Sequence, residues 1–206
     1  MPGHNNKTII FDYGGVISKP QNQDSVRKII AKLKLKDHDH FREVYSIYRK
    51  EIDGGLITLS EYWVKTLRKI NKVLPEKDFK WLILEDIISW SDINGETIEL
   101  INSLRQNGNK LAVLSNMVTE TLEYLRDHTE FIPLFDHTFF SCDINMVKPN
   151  PGIYEYILDR MKVPAADCIF IDDLEPNCIA AEKAGMKAIQ FKSTAQAKSE
   201  LALLLT

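Results

Sequence analysis

Five short apolar runs, each cut off by polar or turn residues and each separated from the next by helically spaced sequence, constrain this chain more than any other feature. They fall at 7–11, 111–114, 138–140, 168–171 and 188–191. Continuous apolar runs of this length read as strands buried on both faces, and such strands need helices on each side of their sheet. The intervening sequence supplies them. One helix is expected over 96–106 and should stop at Asn107-Gly108; another is expected over 119–128. A third opens at Asn150-Pro151, with Asn as N-cap and Pro in the first helical position, and presents Tyr154, Ile157, Leu158 and Met161 on one face. A fourth covers 176–184 before Gly185, and an Ala/Leu-rich helix closes the chain. Strands alternating with helices predict an α/β fold: a five-stranded, mostly parallel sheet sandwiched by helices and joined by right-handed crossovers.

The alternation is interrupted once. Between the first run and the second, four successive stretches carry apolar residues at helical spacing and none shows strand alternation. They are Val26/Ile29/Ile30/Leu33, Phe41/Val44/Tyr45/Tyr48/Ile52, Leu59/Trp63/Leu67/Ile70 and Phe79/Leu82/Ile83/Ile87/Trp90. The third opens on Thr58-Leu59-Ser60-Glu61, a capping box. A four-helix unit inserted after strand one follows, dividing the chain into a core of 7–19 and 92–206 and a helical domain of 20–91. The length, 206 residues, suits one domain carrying such an insertion.

Composition excludes several classes. Gly and Pro, 9 and 8 of 206 residues, are too few for a fibrous or disordered chain. With 26 Lys plus Arg against 29 Asp plus Glu, the net charge of −3 gives no electrostatic ground for nucleic-acid or anionic-membrane binding, and the basic run from Arg27 to Lys36 reads as a solvated helix face. No apolar stretch approaches the roughly 18 residues of a membrane span, and the polar start MPGHNNKTII lacks the pattern of a leader. Cys142, Cys168 and Cys178 cannot all pair and show no metal spacing, so reduced thiols and a cytoplasmic location are expected.

In open parallel sheets the chemistry lies outside the carboxyl ends of the strands. Strand one ends at Asp12, strand two at Ser115-Asn116 and strand four at Asp172-Asp173, while Lys148 lies in the loop after strand three. Three carboxylates, a hydroxyl, an amide and an ammonium would share one rim. Like charges so placed need a cation among them, and hard oxygen ligands without His or Cys suit Mg²⁺.

These residues stand in four segments, IIFDYGGVI, LAVLSN, VKPNPGIY and IFIDDLEPN. In that order they resemble the four motifs of the haloacid dehalogenase superfamily, and the inserted helices resemble its C1-type cap. The resemblance covers essentially the whole chain, and the D-D-x-x-x-N form of the fourth motif is similar to that of subfamily I members such as bacterial α-D-glucose-1-phosphate phosphatase and the N-terminal phosphatase domain of soluble epoxide hydrolase. It implies a Rossmann-like core and a Mg²⁺-dependent phosphomonoester hydrolase. Asp12 would be the nucleophile, forming an aspartyl-phosphate that water hydrolyses. Lys148 would be its charge partner, Ser115 and Asn116 would bind the phosphoryl oxygens, Asp12, Asp173 and the Gly14 carbonyl would hold the metal, and Asp172 would support them through water or Lys148. A small phosphorylated metabolite, such as a sugar phosphate, is the implied substrate.

One position departs from the family pattern. Gly14 stands where a second aspartate usually serves as general acid and base, which favours acidic leaving groups unless another group, such as a cap residue, supplies the proton. The same departure keeps open a non-catalytic protein that binds a phosphorylated ligand or a partner. A 2-haloacid dehalogenase, which needs no metal, is disfavoured by Asp172-Asp173, and a response-regulator receiver by the chain order. Specificity would come from the cap, where Tyr45, Tyr48, Arg49 and Trp63 are candidates; the spacing of the three aromatics assigns them instead to the bundle core.

Overall fold

Strand β1, Thr8–Phe11, is buried along its whole length and lies at the centre of a five-stranded sheet. The structure is a computed structural model and describes residues 7–205; the polar residues before Lys7 lie outside it. Around β1 stand β2 (Lys110–Ser115), β3 (His137–Phe140), β4 (Cys168–Asp172) and β5 (Lys187–Gln190), in the order β3-β2-β1-β4-β5. All four pairings are parallel. The chain works outward from β1 through β2 to β3, then returns to the other side of β1 for β4 and β5. That reversal puts the switch point of the sheet between β1 and β4, where Phe11 pairs with Ile171 and the next residues along are Asp12 and Asp172.

Each strand is apolar on both faces because each face meets a helical layer. Ile9, Phe11, Leu111, Val113, Ile169 and Ile171 pack against α6 (Gly95–Gln106), α7 (Thr119–His128) and α11 (Thr194–Leu204). Ile10, Ala112, Leu114 and Phe170 pack on the opposite side against α9 (Pro151–Met161) and α10 (Glu175–Lys183). The helix ends are those expected: the Asn150 side chain accepts from the Gly152 N–H with Pro151 beside it, and Gly185 follows α10 at φ +90°.

Between β1 and β2 the chain builds a second hydrophobic core, mainly from helices, and Val118 and Tyr124 from beyond β2 pack into it. The four helices predicted there are five: α1 (Gln23–Leu33), α2 (His38–Ser46), α3 (Arg49–Asp53), α4 (Leu59–Lys69) and α5 (Glu76–Ser89). The second predicted segment breaks at Ile47-Tyr48. Apolar spacing is blind to this break because Phe41, Val44, Tyr45 and Ile52, on both sides of it, pack into the same core. The capping box opens α4 as expected, Thr58 accepting from the Glu61 N–H and Glu61 from the Thr58 N–H. Two connecting segments join the helical unit to the sheet, and they run antiparallel side by side: the Lys19 N–H donates to Asp92 O at 2.7 Å and the Asn94 N–H to Ile17 O at 2.9 Å. No helix among the described residues is long and apolar enough to cross a membrane.

Candidate active site

The turn leaving β1 sets the geometry. It is a wide helical turn, Tyr13–Ile17, closed by a hydrogen bond from the Ser18 N–H to Tyr13 O at 2.8 Å. The Asp12 side chain caps it, Oδ1 accepting from the Tyr13 N–H at 2.7 Å, while the Asp12 N–H is tied to Ile171 O at 2.8 Å. Asp12 is therefore fixed at both backbone and side chain, and its Oδ2 takes no hydrogen bond from any described residue. Gly14 has ordinary backbone angles, φ −64° and ψ 123°, whereas Gly15 stands at φ +70°. A Cβ on Gly15 would lie 2.8 Å from Asp173 Oδ2, so the missing side chain leaves room for that carboxylate.

Lys148 joins the two acidic strand ends. Its ammonium is 2.8 Å from Asp12 Oδ1 and 2.6 Å from Asp172 Oδ2, and its side chain is 1% exposed. Asn116 grips the backbone of the same residue: its Oδ1 accepts from the Lys148 N–H at 2.8 Å and its Nδ2 donates to Lys148 O at 3.0 Å, leaving one amide hydrogen for a ligand. Asp172 is fully enclosed. Besides Lys148 it accepts from Asn177 Nδ2 at 2.9 and 3.0 Å and from the Leu174 N–H at 2.9 Å. Asp173, half-buried, takes no side-chain hydrogen bond among the described residues.

Burial pushes the Asp12 carboxyl up to about 7, with Lys148 pulling against it and Asp172 adding to the rise. Burial likewise raises Asp173, helped by Asp172. For Lys148 burial acts downward, but Asp12 and Asp172 outweigh it and hold the ammonium above the usual lysine range. Asp12, Asp172 and Asp173 offer oxygens within 4.8 Å of one another against a single ammonium, an excess of negative charge that a divalent cation would neutralise. The donor set fits Mg²⁺: all-oxygen, with unshared lone pairs on Asp12 and Asp173. Asp172, its oxygens already occupied, is disposed to hold Lys148 and not the ion.

These groups open into a cleft of about 260 Å³ lined on the sheet side by Asp12, Gly14, Ser115, Asn116, Lys148 and Asp173. All the sequence-predicted site residues except Asp172 line it, and Asp172 lies directly beneath Lys148. From the helical unit, Arg49, Asp53 and Trp90 reach the same cleft. Of the four cap candidates only Arg49 does so, since Trp63 is fully buried, Tyr45 nearly so, and Tyr48 packs against the cap core. Asp53, Trp90, Gly15 and Asn177 were not singled out. Asn177 is the closing Asn of D-D-x-x-x-N, to which the sequence assigned no role, and Asp53 could have been found by its i,i+4 relation to Arg49.

A parallel sheet that gathers a capped aspartate, a lysine-bound aspartate and a third carboxylate at its switch point, beneath inserted helices, defines a class of hydrolase built around its first strand end. The chain belongs to the haloacid dehalogenase-like hydrolase family, whose profile matches residues 6–185. It is 27% identical over 209 residues to mouse bifunctional epoxide hydrolase 2, a match that covers 93% of this chain but only 37% of that protein. It is 24% identical over 210 residues to D-ribitol-5-phosphate phosphatase of Bacteroides thetaiotaomicron, covering 97% of this chain and 98% of the relative. Among solved structures, a haloacid dehalogenase family enzyme of Bacteroides thetaiotaomicron, in complex with magnesium and inorganic phosphate, superposes with a TM-score of 0.73 at 21% identity, over 91% of this chain and 94% of that one.

Proposed function

We propose that this hydrolase is a Mg²⁺-dependent phosphomonoesterase that works through an aspartyl-phosphate on a small phosphorylated metabolite such as a sugar phosphate. The observation that carries the reading is the Asp12–Lys148–Asp172 bridge, with Asp12 Oδ2 left free beside it. A carboxylate approaching a phosphoryl dianion is repelled unless positive charge is already in place. Lys148 provides it on one side, rigidly, because two carboxylates and the Asn116 amide fix both its head and its backbone. Asp12, Asp173 and the Gly14 carbonyl would hold the Mg²⁺, which when bound supplies positive charge to the phosphoryl oxygens. Ser115 and the remaining Asn116 hydrogen would bind those oxygens. Helices over 20–91 would form a lid that excludes water from the cleft.

The phosphatase names among the relatives and the magnesium and phosphate bound in the structural neighbour support this reading. Its test is release of p-nitrophenol from p-nitrophenyl phosphate by the purified protein. Release is expected with Mg²⁺ and should cease on chelation with EDTA. Mg²⁺-dependent phosphate binding without turnover of any ester would favour the non-catalytic reading that Gly14 keeps open.

A further inference from the structure

Without an acid at Gly14, turnover of esters with a weakly acidic alcohol calls for a proton donor elsewhere, and the lining of the cleft restricts the choice. Among the described residues three carboxylates line it, Asp12, Asp173 and Asp53. The reading above occupies the first two. No histidine, glutamate or cysteine among the described residues lines the cleft. The Tyr13 hydroxyl is spent on Trp90 O at 2.7 Å, and burial moves its titration far above neutrality. Lys148 is clamped between two carboxylates. Asp53 remains.

Its setting is built. Arg49 Nη2 donates to Asp53 Oδ1 at 2.5 Å, and Arg49 is itself fixed: Nη1 donates to the Tyr45 hydroxyl at 3.0 Å and the guanidinium stacks 4.8 Å from the Tyr45 ring. Tyr45 in turn donates to Asp86 Oδ1 at 2.6 Å and accepts from Trp90 Nε1 at 3.1 Å. This chain of contacts ends in one carboxylate oxygen, Asp53 Oδ2, that takes no hydrogen bond among the described residues. Burial holds the Asp53 carboxyl above the usual range against the pull of Arg49 and Lys148, which favours a group that can carry a proton and give it up.

Resting on the phosphatase reading, we propose that Asp53 is the general acid and base of this site and Arg49 its positioning residue. In the first step Asp12 attacks phosphorus, the bond from phosphorus to the leaving oxygen breaks, and that oxygen takes the Asp53 proton to leave as the alcohol. In the second, water attacks the aspartyl-phosphate, Asp53 accepts a water proton, and the bond from phosphorus to Asp12 breaks to give inorganic phosphate and the free carboxylate. Both steps balance without another reactant.

The test compares p-nitrophenyl phosphate, whose leaving group needs no proton, with an alkyl phosphate in wild type and Asp53→Asn. The variant should lose about 10²- to 10⁴-fold in kcat/KM on the alkyl ester and at least tenfold less than that on the aryl ester. The cap–core bond near Asp53 comes from Ser141 Oγ to the Asp53 carbonyl, which side-chain replacement leaves in place. Asp53→Ala supplies a second reading: added formate should restore part of its alkyl-ester turnover, which a merely structural role would not allow. Equal losses on both esters, no loss, or no response to formate in an active variant would overturn the proposal. A wild-type protein that hydrolyses neither ester would remove the phosphatase reading itself.

Discussion

Asp172 and Asp173 are neighbours in sequence with different surroundings, and the difference divides their expected roles. Asp172 is enclosed and accepts from Lys148, Asn177 and Leu174, whereas Asp173 is half-buried and open to the cleft. Asp173→Asn should therefore raise the Mg²⁺ concentration for half-maximal activity far more than Asp172→Asn does. Asp172→Asn should instead cost about 2 kcal/mol in urea unfolding, because it weakens the charge-assisted bond from Lys148, which keeps Asp12 as its partner. Equal shifts in metal requirement would reject this division. Asp12→Asn tests the nucleophile: the amide keeps the oxygen that caps the Tyr13 N–H but is a poor nucleophile, so turnover should fall below about a tenth of wild type, with an unchanged circular dichroism spectrum. Activity above that level would take the nucleophile role from Asp12.

At the scale of elements, the cap core is organised around a buried carboxylate. Asp86 on α5 accepts from the Tyr45 hydroxyl at 2.6 Å and from Trp63 Nε1 at 2.9 Å, tying α5 to α2 and α4. Asp86→Ala would strand both donors and should cost about 3 kcal/mol. Burial raises the folded-state pKa of Asp86 above its unfolded value despite those hydrogen bonds. Its stabilising contribution is thus fully present below the usual carboxylate range and declines as pH rises through the raised folded value. The stability gap between wild type and variant should be wider at pH 4.5 than at pH 8, as measured by urea unfolding, and a gap that widens with pH would contradict this. Nothing in the sequence marked Asp86, because pairing across helices carries no local spacing. The five strands were legible since residues such as Ile9 and Ile10, or Val113 and Leu114, are apolar in succession for two different helical layers. Asp12, Ser115 and Asp173 were legible because a parallel sheet delivers its strand ends to one rim, and Lys148 because the loop after the third strand opens on the same rim. The wide turn Tyr13–Ile17 and the short helix α8, Ser141–Ile144, span too few residues to show a period. The turn into α3, which brings Arg49 and Asp53 to the cleft, is hidden by apolar spacing that continues across it.

For the whole molecule, turnover should depend on how closely the helical unit sits on the sheet unit. Three of the contacts across that seam lie close to Asp53 and the tip of the cap. Ser141 Oγ donates to Asp53 O and accepts from the Met117 N–H, the Leu59 N–H donates to Glu120 Oε1 at 2.8 Å, and the backbone at Gly55 meets that of Cys142. The last leaves least room: Gly55 stands at φ +68°, and a Cβ there would lie 2.7 Å from Cys142 O, a backbone atom that cannot swing aside. Gly55→Ala should push the tip of the cap, and Asp53 two residues before it, away from Asp12. Displacing a catalytic constellation by about 1 Å costs on the order of 10²-fold in rate, so kcat/KM should fall by about that factor. Backbone strain alone would predict only a loss of stability, and Gly108→Ala separates the two effects. Gly108 also has a positive φ, +81°, but a Cβ there meets nothing within 4 Å. Both variants should lose about 1 kcal/mol or more in thermal unfolding. Only Gly55→Ala should lose activity and show faster amide exchange in α3 and at Ser141–Ile144. If Gly108→Ala lost as much activity, or Gly55→Ala lost none, the seam would have no part in turnover.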